Sequence, residues 1–278
     1  MMKILMLEIY KVFIRRRSYI AFGAILFIIV LLLLAVNYEA KNVLDFMTSN
    51  LKESFSFQGN LVNGNLYAHI VMRSLWVHIP MLVVLVTGDL VSGEYQSGTF
   101  RLILSRPVSR FSIITSKFIS GWIYVLLIVV FLAVLSLGLG YLFLGNGDLL
   151  VTNNTINIFN SDDVLWRFGL AYSFGLLSML TVASLSMFLS TIFNNSVTAV
   201  LASLALVIVL TFLSTFNIPV INSIKPFLFT SYMGGWDSFF TFNIDFGKII
   251  LESVLLLVHI IIFYLLGLYV FIKKDILT

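Results

Sequence analysis

The chain has 278 residues, of which 60% are hydrophobic and only 11% charged. Soluble domains carry about 25% charged residues, so this composition cannot cover a soluble surface and indicates a polytopic membrane protein. The formal net charge of +4 reads as an orientation signal rather than a nucleic-acid footprint, and the absence of cysteine excludes disulfides, thiolate metal sites and cysteine catalysis.

The first element is a short helix within residues 1–17. Leu5, Ile9, Val12 and Phe13 fall on one face and Glu8, Lys11 and Arg15 on another, the pattern of a helix lying in the membrane interface; a simple cytoplasmic extension of the first span is the alternative. The apolar run 19–36 follows Arg15, Arg16 and Arg17. It exceeds the apolar region of a signal peptide, about 7–15 residues, and reads as a retained span. Five further segments reach the roughly 20 apolar residues a helix needs to cross a bilayer: 70–88, 113–143, 168–193, 196–216 and 249–272. None alternates apolar and polar as a barrel strand would. The fold class is therefore all-α, with six transmembrane helices in one domain over 1–278, an N-terminal interfacial helix, and a polar segment, 89–110, between spans two and three.

Lys3, Lys11, Arg15, Arg16, Arg17, Arg101, Arg106, Arg110, Lys117, Lys273 and Lys274 fall on the side of the termini. Lys41, Lys52, Arg73, Arg167, Lys225 and Lys248 fall on the other. This bias puts both termini and segment 89–110 in the cytoplasm, with outer loops at 37–69, 144–167 and 217–248. In the last loop the run Pro226–Tyr232 is apolar enough to dip into the bilayer edge or pack on the helices; an ordinary folded loop is the alternative. Span four is rich in small and hydroxylated residues, among them Ser178, Thr181, Ser184, Ser186 and Ser190, which favour close packing inside the chain. Ala199 and Ser203 in span five fit either such packing or a subunit interface.

No phosphate-binding loop and no H-E-x-x-H zinc motif occur. Val86-Thr87-Gly88-Asp89 lacks the first glycine of an intramembrane aspartyl protease motif, and no second aspartate lies in a span to share acid and base roles. His78, Glu252 and His259 lie in or near spans, the last two about two turns apart on one face. Intramembrane ionisable groups invite a transport hypothesis, although a histidine hydrogen-bonded between helices is the commoner case. His78 with Met81 is too sparse for a copper site.

Within 89–110, Gly93 and Gly98 permit backbone turns. Thr99 can cap a short helix whose Phe100, Ile103 and Leu104 share a face; Pro107 ends it, and Ser109 caps the helix that rises into span three. An exposed apolar face ringed by Arg101, Arg106 and Arg110 marks a partner site; an amphipathic loop on the membrane surface is the alternative. Gly93-Glu94, Gly98-Thr99, Leu102-Ile103-Leu104, Arg106-Pro107-Val108-Ser109-Arg110 and Lys117 resemble the hallmark segment of ABC-2 type transporter permeases. The six-span layout, the interfacial helix and the Lys273-Lys274-Asp275 ending extend the resemblance over nearly the whole chain.

The resemblance implies that 89–110 is a coupling helix docked on a separate ABC ATPase. Two permease chains, identical or related, and two ATPase copies would form the working unit in a bacterial inner membrane, with no nucleic acid involved. It implies no cofactor on this chain, with ATP and Mg on the partner, and no catalytic residue here. Three functions follow: an ATP-driven export permease, an ATPase-coupled mechanical or signalling complex without a substrate, or a stand-alone ion channel or proton-driven carrier using His78, Glu252 and His259.

Overall fold

The structure is a computed structural model and describes residues 2–38, 62–100, 107–152 and 156–274. Most of the first outer loop, with Arg101, Ile103, Leu104, Arg106 and Asp275, lies outside the described residues. The chain runs through α1 (Met2–Ile14), α2 (Arg16–Tyr38), α3 (Gly64–Leu75), α4 (Ile79–Thr87) and α5 (Ser92–Gln96). It continues through α6 (Arg110–Leu144), β1 (Leu149–Thr152), β2 (Ile156–Phe159), α7 (Ser161–Ile192), α8 (Ser196–Thr215), α9 (Pro219–Ile224) and α10 (Phe246–Lys273). The helices α2, α6, α7, α8 and α10 are long and apolar enough to cross a membrane. Gly64–Leu75 with Ile79–Gln96, bent by 53° at their break, makes a sixth crossing if the pair is one span. The protein is thus a helical, multi-pass membrane protein.

Five of the six expected spans match single helices, four of them to within three residues at each end, while α7 starts seven residues before the expected 168. The segment 70–88 does not, because it is two helices. Pro80 has no N–H with which to continue the helix before it. The chain therefore turns through Trp76–His78 and restarts, with Met81 N and Leu82 N donating to His78 O at 3.1 and 3.2 Å. The first half also begins earlier than expected. Asn63 caps α3, its Oδ1 accepting from Asn65 N and Leu66 N at 3.0 Å each.

At this end of the bundle, here the crown, the start of α3 meets the end of α6. Gly64 N donates to Gly145 O at 2.8 Å, and Tyr141 OH donates to Asn65 Oδ1 at 2.6 Å. A Cβ on Gly64 would lie 2.6 Å from the carbonyl carbon of Gly140, so the two backbones touch where only glycine fits. The all-α expectation misses a small antiparallel hairpin beside this contact, β1 with β2 in the register Leu149↔Phe159 to Thr152↔Ile156. It roofs the bundle with Leu149, Leu150 and Val151, all fully buried. In the expected outer loop 217–248, short 3-10 helices at Phe229–Ser231 and Met233–Phe240 pack on α7, α8 and α10. Phe229, Met233, Trp236, Phe239 and Phe240 are buried there, so this loop packs on the helices.

The most deeply buried of the five long helices is α7, which contacts α4, α6, α8 and α10. Its Ser178, Thr181, Ser184, Ser186 and Ser190 are fully buried, consistent with packing inside the chain. Ser178, Thr181 and Ser184 donate to carbonyls four residues back, which satisfies their hydroxyls without disturbing the helix. Ala199 and Ser203 are also fully buried within the chain, so neither is free for a subunit interface.

Candidate functional site

The opposite end, here the base, gathers α1, the α4–α5 bend, the start of α6 and the end of α10 around buried charges. Lys117, one side of α6 and 1% exposed, is the centre. Its Nζ donates to Glu8 Oε2 at 2.8 Å and to Leu90 O at 3.1 Å, and it lies 2.8 Å from Glu94 Oε1. Lys11 Nζ bridges the same two carboxylates, at 2.7 Å from Glu8 Oε1 and 2.9 Å from Glu94 Oε1. Two lysines and two glutamates form a closed, charge-neutral quartet, the arrangement in which burying charge is tolerable. Burial alone would lower the pKa of Lys11, but hydrogen bonds and charges from Glu8 and Glu94 outweigh it and leave it raised.

A second centre lies beside the first. Asp89, at the end of the α4 stretch, pairs with Arg15 Nη1 at 2.8 Å and faces Arg17 Nη1 at 3.5 Å. Ser196 Oγ donates to Asp89 Oδ1, and Ser196 N donates to Gln96 Oε1 at 3.0 Å. Asp89 therefore ties the α1–α2 joint and the α4–α5 bend to the start of α8. Ser190 of α7 completes the joint by accepting from Val91 N and Ser92 N at 3.2 and 2.9 Å.

The C-terminal end of α10 closes the base. Arg110 Nη1 donates to Ile272 O and Lys274 O at 2.7 and 2.9 Å. Lys274 Nζ donates to Thr191 O and Ile192 O, both at 2.8 Å, and lies 4.2 Å over the Tyr95 ring. Burial lowers the pKa of Lys274.

The structure corrects the expected docking role of Phe100, while Ile103 and Leu104 of the same expected face lie outside the described residues. Phe100 is 1% exposed; its ring packs on Tyr95 at 4.6 Å and Phe271 at 5.4 Å, with Lys117 Nζ 5.5 Å above it. Glu94 is buried as well. Both are anchors inside the chain, because Phe271 offers the ring an apolar bed and the two lysines offer the carboxylate its counter-charges. Gly98 has φ +69°, the turn expected of it, and a Cβ on Gly93 would strike the Asp89 carboxylate. Ser109 caps α6, accepting from Ser112 N at 3.2 Å. Thr99 opens the next helical turn, with its hydroxyl donating back to Glu94 O at 3.3 Å. Pro107 is exposed and follows the segment outside the described residues.

The interfacial helix is also turned differently from a simple reading of its faces. Glu8 and Val12 are its buried residues, while Met6, Leu7, Tyr10 and Ile14 are about 60% exposed. In a bilayer an apolar side chain gains little by entering the protein, whereas a carboxylate gains its partners.

The three intramembrane candidates do not converge, and no hydrogen bond joins any two of them among the described residues. His78 is exposed beside Ser74 O at 2.9 Å. Glu252 is buried near Gly235 and 3.8 Å from Lys248. His259 places Nδ1 2.7 Å from Leu255 O and Nε2 3.1 Å from Phe227 O. Sequence reasoning missed Glu8, Asp89 and Ser196 as site residues, and used Lys117 only for the charge bias and within the resemblance. One signal was available, since Lys117 is an ionisable residue inside the apolar run 113–143.

A family model described as "Protein of unknown function (DUF2705)" matches residues 24–277, so the chain belongs to that family. It is similar to "Uncharacterized protein YhcI" of Bacillus subtilis (strain 168), with 29% identity over 207 residues. That match covers 70% of this chain and 64% of the relative, so the chain spans less than two thirds of the relative's length.

Proposed function

We propose that this member of the DUF2705 family is the permease subunit of an ATP-driven ABC-2 type transporter in a bacterial inner membrane, with its base in the cytoplasm. A separate ABC ATPase drives it through segment 89–110, and a second permease chain completes the unit. One observation carries the reading: the bend between the second and third spans is locked to α1 and α6 by ion pairs of Glu94 and Asp89 and to α8 by the hydrogen bond from Ser196 to Asp89. Such a joint transmits a push on the bend to several spans together, which an ordinary loop would absorb.

The roles within the segment divide accordingly. Glu94, Phe100 and Arg110 hold the segment to the bundle, and Arg101, Ile103, Leu104 and Arg106 keep the docking role read from the sequence. The separated positions of His78, Glu252 and His259 favour this reading over a stand-alone carrier.

The test is purification of the tagged chain from its native membrane. The expected result is a co-purifying polypeptide with a phosphate-binding loop, whose ATPase rate in the reconstituted complex falls with E94Q while the complex stays assembled. Recovery of the intact chain without such a polypeptide would overturn the coupling. ATPase stimulation by an exported compound separates transport from a purely mechanical role.

A further inference from the structure

A crevice of about 260 Å³ opens between α2, α4 and α8 at the base. Ile20, Leu85, Val200 and Leu201 make its walls apolar, and Arg17 and Ser196 stand at its mouth. We propose that it binds one anionic phospholipid, with the phosphate on Arg17 and one acyl chain along the apolar wall.

Three observations carry the proposal. The first is size and shape. Drug-sized ligands occupy about 300–1,000 Å³, so a smaller, laterally open crevice suits a length of acyl chain whose remainder stays in the bilayer. Ile20 and Leu201, each nearly 60% exposed, continue the wall outward.

The second is unmet donor capacity. A guanidinium has five N–H donors. Arg15 takes the close bond to Asp89 at 2.8 Å, which leaves Arg17 at 3.5 Å from Asp89 and 3.4 Å from Ser196 Oγ, with its side chain 58% exposed. Donors beyond Nη1 are thus accessible to a phosphate, which offers bidentate acceptors.

The third is charge. Arg15 and Arg17 share the single carboxylate of Asp89, leaving a local excess of positive charge beside the crevice. Basic pockets between spans are sites of this kind for acidic headgroups. The larger crevice of about 330 Å³, between Trp76, Pro80, Leu204 and Met233, has no charged side chain on its lining and so lacks any such selection.

The proposal requires a bilayer around the bundle and does not rest on the ATPase reading, so either can fail alone. The test is native mass spectrometry of the full chain released from mixed phosphatidylglycerol and phosphatidylcholine. Wild type is expected to retain phosphatidylglycerol about fivefold over phosphatidylcholine, the effect of one well-placed arginine. R17Q should abolish the preference, and L201W, which fills the crevice from an exposed position, should release the lipid without changing the melting temperature.

R16Q removes the same charge one residue away and should change the preference less than twofold. Equal preference for the two lipids in wild type would overturn the site, and so would equal effects of R16Q and R17Q, which would mark general surface attraction. Since the chain has no cysteine, an L201C variant reports on the alternative occupant. Efficient chain-to-chain crosslinking through it, in membranes rich in phosphatidylglycerol, would place a second copy here and overturn the lipid.

Discussion

The base and the crown solve the same problem, joining helices in an apolar medium, with different chemistry. The base uses ion pairs between side chains far apart in sequence, such as Lys117 with Glu8 and Arg15 with Asp89. The crown uses amides, backbone carbonyls and touching glycines: Asn63 donates to Asp148 O at 2.7 Å, and Arg167 Nη1 to Phe239 O and Thr241 O at 2.8 and 3.0 Å. Ion pairs can be unmade one side chain at a time while every helix stays intact. The touching backbones of Gly64 and Gly140 cannot, so the crown has one joint that no loss of a side-chain bond can open.

The largest effect should come from K117M, which leaves Glu8 and Glu94 buried with one lysine between them. Breaking a buried pair costs about 3–5 kcal/mol, read as a lower denaturation midpoint in detergent. Adding E94Q should restore part of the loss, because an uncompensated carboxylate is the source of the cost. If the double variant is as unstable as the sum of the singles, the quartet is not a coupled unit.

G64V attacks the crown instead. It forces the α3–α6 backbones apart at a cost of about 1–3 kcal/mol and should leave the base protected in hydrogen exchange. N63A removes the α3 cap at about 1 kcal/mol, with faster exchange confined to the first turn of α3. A loss of protection at the base in either variant would erase the distinction between the two ends.

The smallest effect is one of pH. The folded pKa of Lys11 is raised above its unfolded value of 10.5, so its contribution is complete below 10.5 and is lost as pH rises through the folded value. Protection of α1 in exchange, corrected for the intrinsic rate, should therefore be constant from about pH 7 to 10 and fall only in stronger alkali. A fall near neutrality would mean that another group holds α1.

Much of the fold was legible because spans are long and oil is unambiguous: α2, α6, α7, α8 and α10 needed only length and composition. The break in the second span was not read, although Pro80 signalled it, because the apolar run continues across Trp76–His78 and hydropathy does not register direction. The hairpin was too short to stand out among polar loop residues. At the site, the glycines and the Ser109 cap were legible because backbone geometry demands those residue types. Glu8 and Asp89 were not, since a charged residue near a span end looks solvated until its partners are known, and those partners lie on other helices. Phe100 was misread for the same reason: nothing local indicated that Phe271 would cover it.

The contact between Gly64 and Gly140 has a mechanical consequence. It fixes the 12-residue α3 against one end of the 35-residue α6, and Lys117 lies about 35 Å further along α6 at about 1.5 Å per residue. With that contact as a fulcrum, a swing of α6 by about 5° would carry Lys117 by about 3 Å, as far as a hydrogen bond is long. An angle that small at the crown is thus enough to carry Lys117 out of hydrogen-bonding reach of Glu8 and Glu94 at the base.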